Sequence, residues 1–380
     1  MNKSCLIGFL MCSAFSLVVQ AATDGAHITK TISQIERKKG IKRTIQYRPD
    51  GNDFVCVNGK NRYTRALYGG ITDFRIETSD RPVFATYKPK DSKHICFRLQ
   101  CGNQSIALDS LKFCEARYRA GRRTYRLTDP LLGKGELNIS VLAFPDAEGG
   151  IWRFTMKDMP EGALLHCYIS EIRAKNLSRN GDMGADRADS FDAPQLPKEQ
   201  KHYKLSLDGT TAYIVVEDQE LRLPALVEGT SLYDKSEKWR SEIESSLQIS
   251  TPDPYFNPLG GALAAAADGI WDGKIWLHGA IGWRSQLNGW RAAYIGDFIG
   301  WHDRARTHFD SYAASQVTDV PATIPHPTQD TALHLARSVK KWGTPHYSNG
   351  YICRTPYRKD QMHHYDMNLC YIDELLWHFN

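Results

Sequence analysis

The sequence predicts a multidomain α+β protein, with an N-terminal antiparallel β-sandwich followed by a helical region. Between about residues 40 and 230, short segments alternate apolar and polar residues and are separated by turn dipeptides such as Asn-Gly and Asp-Gly. This pattern is typical of half-buried strands. No helical period interrupts it, so we expect antiparallel sheets. From about residue 235, the apolar spacing becomes that of amphipathic helices.

The clearest strand segments support the sandwich in detail. Strands are predicted at 54–57, 94–99, 136–142, 152–156 and 212–216. Their two-residue period places apolar side chains on one face and polar side chains on the other. A polar stretch at 178–197 is predicted to be a long loop.

The helical region contains several separate periods. These predict a short linking helix at 239–247 and longer helices at 259–270 and 290–317. A shorter helix is predicted at 331–341, and a last one starts near Asp366, which we interpret as its N-cap. That last helix has neither a glycine stop nor a polar tail. We therefore expect an N-terminal portion of a longer protein; the alternative is a natural terminus that docks on the sandwich.

The N-terminus predicts export. Lys3 precedes an apolar run, and small residues before Ala22 fit cleavage by signal peptidase between Ala21 and Ala22. Removal of residues 1–21 removes Lys3 and no acid, so the formal net charge of +5 becomes +4. No later segment has the apolar length of a membrane span. The basic residues are dispersed, so nucleic-acid binding is not expected.

Cysteine spacing and sequence motifs exclude several chemistries. Seven cysteines remain after cleavage, an odd number without a C-x-x-C pair, so a disulfide scaffold is not expected, although one or two bridges remain open. His302 and His308 lack the spacing that directs two imidazoles at one metal, and no metal site is predicted. Dinucleotide, P-loop and nucleophile-elbow motifs are missing, so we expect no cofactor.

One segment carries residues suited to sugar recognition. Residues 271–310 are rich in tryptophan, arginine, aspartate and histidine, and the dipeptide Trp-Arg occurs twice, at 283–284 and 290–291. Aromatic planes cover the C–H faces of sugars, while charged groups bind their hydroxyls. The alternative is that the tryptophans form a core and the charges a solvated surface.

Glycoside hydrolysis requires a pair of carboxyl groups across the scissile bond. The acids near the aromatic segment are Asp272, Asp297, Asp303 and Glu374. Asp297 is the preferred catalytic candidate, because it follows Tyr294 by one helical turn. Asp303 is expected to pair with neighbouring arginines. The residues by themselves do not specify a complete acid and base.

Several motifs resemble a known family. They are Thr-Pro-Asp-Pro at 251–254, Asp-Gly-Ile-Trp-Asp at 268–272, His-Gly-Ala at 278–280, Gly-Trp-Arg at 282–284 and 289–291, and, in the strand region, residues 57–59, 65–70 and 74–77. Together they resemble Bacteroidetes proteins that carry the domain of unknown function 4450, similar to glycoside hydrolase family 142 in the six-hairpin (α/α)6 glycosidase superfamily. The resemblance spans about residues 45 to 380.

The resemblance implies the architecture and the activity. It implies a β-sandwich, a linker helix and the first helices of an (α/α)6 barrel, which is incomplete here because only about four helices are present. The implied activity is that of a β-L-arabinofuranosidase on pectic side chains. The predicted boundaries are 1–21 for the signal peptide, 22–230 for the sandwich, 231–250 for the linker helix and 251–380 for the barrel.

The sequence and the resemblance together give a candidate site and a function. Asp297 is the catalytic candidate, and the candidate sugar-binding residues are His278, Trp283, Arg284, Trp290, Arg291, His346, Tyr365, Asp366 and Asn368. We expect an exported glycoside hydrolase whose partner is an oligo- or polysaccharide. The alternatives are a non-catalytic carbohydrate-binding protein and a polysaccharide lyase on a similar barrel.

Overall fold

The computed structural model describes residues 46–60, 63–88, 91–171, 201–279, 284–287, 293–316, 318, 350–356 and 365–379, together with 329–330 and 335–336. These residues divide into two compact units. The first comprises the described residues up to 265 except 70–73, and the second comprises 70–73 and the described residues from 266 onwards. The predicted signal peptide and the predicted loop at 178–197 lie outside the described residues.

The first unit is built from antiparallel strands. In chain order they are β1 (Arg48–Asp50), β2 (Asp53–Val57), β3 (Tyr63–Tyr68), β4 (Arg75–Ser79), β5 (Phe84–Lys88), β6 (Asp91–Cys101), β7 (Gln104–Ala107), β8 (Phe113–Arg119), β9 (Arg122–Thr128), β10 (Glu136–Ala143), β11 (Gly149–Lys157), β12 (Leu164–Glu171), β13 (Lys201–Ser206), β14 (Thr211–Glu217) and β15 (Glu220–Arg222). Short 3-10 turns lie at Leu108–Ser110 and Pro130–Leu132. All five strand segments predicted from the sequence are confirmed.

The strands form two sheets. Sheet 1 has the order β1-β2-β8-β9-β10-β11-β14-β15, and sheet 2 has the order β13-β12-β6-β5-β4-β3, with β7 also paired to β6. The predicted α+β class with antiparallel N-terminal sheets is therefore confirmed. Most neighbours in sheet 1 are consecutive in the sequence, which keeps its connections short.

Aromatic side chains join the inner faces of the two sheets. The ring of Phe84 in sheet 2 lies 5.6 Å from Tyr125 and 5.7 Å from Trp152 in sheet 1, both edge to face. Phe97 meets Phe154 in the same way at 5.5 Å. Such geometry aligns positive ring edges with negative ring faces and adds to the free energy gained by burial. These rings lie in one continuous apolar core shared by the two sheets.

A long helix, α1 (Leu226–Ser245), lies on the outward face of sheet 1. Its buried residues are Gly229, Tyr233, Ser236 and Arg240, spaced by four and three positions along one side. The Tyr233 hydroxyl lies 2.7 Å from that of Ser140 on β10. The short linking helix predicted at 239–247 is thus the last part of a helix that begins thirteen residues earlier, at Leu226.

The remaining helices are α2 (Leu259–Gly269), α3 (Tyr294–Phe298), α4 (His302–Ala313) and α5 (Tyr365–Phe379). Two short strands, Gln329–Asp330 and Leu335–Ala336, pair with each other. The predictions for α2 and α5 are confirmed. In the second unit, Trp276, Phe309, Tyr312 and Tyr371 share one apolar core. No helix within the described residues has the length and apolar character needed to cross a membrane.

Three helix predictions are wrong. The single helix expected at 290–317 is two helices, α3 and α4. Gly300 lies between them with φ +80°, a conformation that interrupts an α-helix. The helix expected at 331–341 is contradicted at residues 335–336, which are a strand. Asp366 was expected to be an N-cap, but α5 begins at Tyr365, which places Asp366 in the first turn. The apolar spacing concealed the break because it continues on both sides of Gly300.

Gly229 tests how closely α1 sits on sheet 1. A methyl group there would lie 2.8 Å from Tyr213 Cβ and closer still to its ring, so we expect Gly229→Ala to lower the free energy of unfolding by about 1–3 kcal/mol despite the better helix propensity of alanine. Gly209→Ala is the matched control, because its new methyl group would be 3.9 Å from the nearest atom. Urea unfolding should separate the two variants, and equal stability would contradict this helix placement.

Candidate active site

Trp276 and His308 are core residues of the second unit. Trp276 is 1% exposed, and its indole N–H donates to the carbonyl oxygen of Ala267 at 3.2 Å. Its backbone N–H donates to Nδ1 of His308 at 3.1 Å. Burial lowers the pKa of His308 to about 3, so the imidazole is neutral at physiological pH. For these two residues the alternative of a packed core is correct, and they offer no surface to a sugar.

A cation lies between two half-exposed tryptophans nearby. The Arg304 guanidinium lies 4.3 Å from the ring centre of Trp301 and 5.6 Å from that of Trp271. It also donates to Asp268 at 2.7 Å. Burial raises the pKa of Asp268, while the neighbouring Arg304 acts in the opposite direction. Charge and aromatic planes therefore stand together in this unit, as sugar recognition requires.

Arg284 forms hydrogen bonds with two segments of the second unit, one at residues 72–73 and one at Gly269. Its guanidinium donates to Asp73 at 2.8 Å, to the Thr72 hydroxyl at 2.5 Å and to the Gly269 carbonyl at 3.2 Å. Thr72 in turn donates to the carbonyl of Trp271 at 2.6 Å. These contacts hold the backbone beside Trp271. Arg284 was predicted to bind substrate, and that role stays a prediction; its contacts in the structure connect it to the segment that carries this tryptophan.

Asp297, the predicted catalytic residue, is hydrogen-bonded to two histidines. His302 Nδ1 lies 2.8 Å from Asp297 Oδ1, and His378 Nδ1 lies 2.9 Å from Oδ2 and 3.1 Å from Oδ1. His302 begins α4, whereas His378 comes from the far end of α5. The carboxylate thus accepts from imidazoles on two helices, and this fixes its orientation.

Glu374 on α5 is the most unusual acid in the second unit. It is 2% exposed, and neither carboxyl oxygen has a hydrogen-bond partner among the described residues. Burial, and to a smaller extent the charge of Asp373, raises the pKa of Glu374 to about 8. The carboxyl is therefore protonated at neutral pH. A buried acid with a raised pKa is a candidate proton donor.

Tyr294 connects α3 to the same part of α5. Its hydroxyl donates to Asp373 at 2.5 Å, and this hydrogen bond raises the pKa of Tyr294 to about 12. Glu374 and His378 are one turn apart on α5, roughly 6 Å along its axis. Since His378 contacts Asp297, the carboxyl groups of Asp297 and Glu374 are both associated with one turn of this helix. We call Tyr294, Asp297, Asp373, Glu374 and His378 the acid cluster.

The other predicted site residues are placed as follows. His278 and Asn368 are described, while Trp283, Trp290, Arg291 and His346 lie outside the described residues, and only the backbone is described for Tyr365 and Asp366. The Asn368 side chain accepts from Ile352 N at 2.7 Å and donates to Ile352 O at 3.1 Å. His278 donates its backbone N–H to Ser285 at 2.8 Å. The substrate contacts of all these residues stay predictions.

The acid cluster contains residues that sequence analysis missed. Asp373 and His378 were not selected, and Glu374 was considered but not chosen. A signal was present, because Tyr371, Glu374 and His378 share one side of α5 at spacings of three and four. An acid on the side that carries core aromatic residues is the sequence mark of a buried carboxyl.

Comparison with known proteins identifies part of the first unit. Residues 89–216 match the model of a family described as a domain of unknown function, DUF4450. The predicted resemblance is therefore confirmed for these residues, which extend from β6 into β14. The acid cluster lies outside the matched range.

No curated protein matches the chain. Among solved structures, a bacterial glucoamylase complexed with acarbose matches at 10% identity with a TM-score of 0.35, covering 70% of this chain and 55% of the glucoamylase chain. The match thus spans about half the length of that protein.

The raised pKa of Glu374 makes stability depend on pH. Because the folded-state pKa of about 8 exceeds the ordinary value of 4.5, the protonated carboxyl stabilises the fold fully below pH 4.5, and this contribution is lost as pH rises to about 8. We expect Glu374→Gln to flatten the decline in melting temperature across this interval. Glu242→Gln, on the exposed side of α1, is the control and should keep the wild-type slope. An unchanged slope in Glu374→Gln would show that the carboxyl is solvated.

Proposed function

We propose that the protein is an exported glycoside hydrolase and that the acid cluster contains its catalytic carboxyl groups. The observation that carries the proposal is the contrast between two acids in one unit. Glu374 is enclosed and protonated at neutral pH, whereas the Asp297 carboxyl group is hydrogen-bonded to His302 and His378. Environments that separate the protonation states of two carboxyl groups assign one as acid and the other as base or nucleophile.

The proposed roles of Glu374 and Asp297 follow from their different surroundings. Glu374 would donate a proton to the glycosidic oxygen as the bond to the sugar carbon breaks. Asp297 would act on the opposite face of the ring, either on the sugar carbon or on a water molecule. The two carboxyl groups must stand about 5 to 10 Å apart. The contact between His378 and Asp297, one turn of α5 from Glu374, brings the two acids to the same part of the second unit.

The half-exposed tryptophans supply the recognition that such chemistry needs. Trp271 and Trp301 flank Arg304 in the same unit. An aromatic plane would pack against a sugar ring, while the guanidinium would bind its hydroxyls. Arg284 would support this surface indirectly, by fixing the backbone of Trp271.

The finer parts of the proposal rest on the family resemblance and the N-terminal sequence. The helices of the second unit would begin an (α/α)6 barrel, and the substrate would be a pectic side chain cleaved by β-L-arabinofuranosidase action. The apolar run behind Lys3 would direct the protein to the periplasm or to the exterior.

A non-catalytic carbohydrate-binding protein is the second candidate. Glu374 is almost fully enclosed, and this enclosure favours binding without cleavage. The lyase alternative receives less support from the described tyrosines. A lyase requires a tyrosine that gives up its proton, whereas the pKa values of Tyr294 and Tyr371 are both raised to about 12.

Hydrolysis tests the assignment directly. We expect Glu374→Gln and Asp297→Ala each to lower kcat on a β-L-arabinofuranosyl oligosaccharide by about 10²- to 10⁴-fold, because each removes one proton-transfer or charge-stabilising group. Trp290→Ala is also expected to lower activity strongly. Asp303→Asn, an exposed acid on α4, is the matched control and should retain activity. Reducing-sugar release measures the rates, and circular dichroism checks folding.

Two results would overturn the hydrolase proposal. Wild-type rates in both acid variants would remove the acid cluster from catalysis. Binding of the oligosaccharide without any release of sugar would instead favour the non-catalytic alternative.

A further inference from the structure

The outward face of sheet 1 carries two adjoining clefts beside α1. One has a volume of about 340 Å³ and lies over β8–β11, and the other has a volume of about 600 Å³ and lies between the β8–β9 turn and the C-terminal half of α1. Arg122 lines both of them. Clefts of several hundred cubic ångströms are typical of small-ligand sites. Both lie entirely within the first unit.

The floor of the smaller cleft is an ordered array of polar side chains. Asn138 on β10 pairs with Arg126 on β9 and with Thr155 on β11. Two residues further along β10, on the same face, Ser140 pairs with Thr124 on β9 and with Arg153 on β11. Neighbouring strands are about 4.8 Å apart, so the donors and acceptors are spaced as closely as the hydroxyl groups of a sugar chain.

Most arginines of the two clefts are paired with acids, some of which lie just outside the lining. The clefts are lined by six arginines and three glutamates. Several of these arginines are neutralised: Arg117 by Asp50 at 2.8 Å, and Arg126 by Glu115 at 3.4 Å. Arg122 shares Glu237 with Arg240, each at 2.8 Å. Arg119 and Arg240 are also paired with Glu244, each at 2.7 Å.

Arg153 has no acidic partner among the described residues. Its guanidinium instead lies 3.8 Å from the ring centre of Tyr233. The Nε atoms of Arg153 and Arg122 are both buried without a hydrogen-bond acceptor within the described part of the chain. Buried donors without acceptors cost free energy, which an incoming acceptor would recover. Both arginines line the smaller cleft, so the same ligand could reach each guanidinium.

We infer that this face of sheet 1 binds an acidic oligosaccharide, with sugar carboxylates at Arg153 and Arg122 and sugar hydroxyls at Thr124, Asn138 and Thr155. Guanidinium groups match carboxylates in shape and charge, and the amide and hydroxyl groups between them suit neutral positions of the same chain. The site is independent of the acid cluster and would bind whether or not the protein hydrolyses glycans.

Nucleic acid fits this face less well than an acidic glycan. Binding of single strands relies on aromatic side chains that are free to stack on bases. Tyr233 lines the smaller cleft, but Arg153 covers its ring and its hydroxyl is bound to Ser140 at 2.7 Å. The formal net charge of +5 over 380 residues is also small for a nucleic-acid binder.

The test is titration calorimetry of the full chain with tetragalacturonate. Neutral galactotetraose and a short single-stranded DNA serve as comparison ligands. We expect binding of tetragalacturonate that weakens with salt, and little binding of the other two. Arg153→Gln and Arg122→Gln should each weaken binding about tenfold or more, because each removes a charge-assisted contact.

Two further variants keep the test decisive. Thr124→Glu adds a competing carboxylate to the cleft without removing any arginine, and it should also weaken binding. Arg98→Gln, an exposed arginine on sheet 2 that contacts Ser105, is the control and should bind as wild type does. Melting temperatures identify any variant that fails to fold. Equal binding of galactotetraose, tighter binding of DNA, or unchanged affinity in both Arg153→Gln and Thr124→Glu would overturn the inference.

Discussion

The alternation of side chains along β9, β10 and β11 is the constraint on which the first unit depends. Tyr125, Trp152 and Phe154 must point inward to meet the rings of sheet 2. With a period of two, the residues between them must then point outward, and these are the polar residues of the cleft floor. A slip of one position would reverse both faces at once. The sandwich core and the arginine-lined surface are therefore specified by the same pairing register.

Much of the fold could be predicted because it depends on local periodicity. The strands 152–156 and 212–216 and the helix that begins at Tyr365 were all evident from apolar spacing. The break at Gly300 was not, since its φ of +80° is a property of one residue and leaves the apolar period on either side intact. The start of α1 was also missed. Its buried positions include Gly229 and Ser236, which carry no apolar signal.

The candidate site was predictable only in part. Asp297 was selected from its place beside an aromatic segment, but its contact with His378 joins residues 81 positions apart. No spacing rule describes such a pair, because it is created by the packing of α3 against α5. Likewise, the raised pKa of Glu374 is a property of enclosure, which sequence alone does not measure. The residue types indicated where a site could lie, whereas the raised pKa of Glu374 could be recognised only from the folded structure.

The orientation of α5 has a consequence for what holds this helix in place. Glu374 and His378 face inward, while the two largest apolar side chains near its end, Trp377 and Phe379, are 58% and 78% exposed. An ordinary amphipathic helix would be rotated the other way. The hydrogen bonds from Tyr371 to the carbonyl of Phe309, from Tyr294 to Asp373, and from His378 to Asp297 oppose that rotation. The rotational setting of α5 therefore depends on these directional bonds together with the packing of Tyr371 and Leu375 in the core of the second unit, and not on burial of its largest apolar side chains.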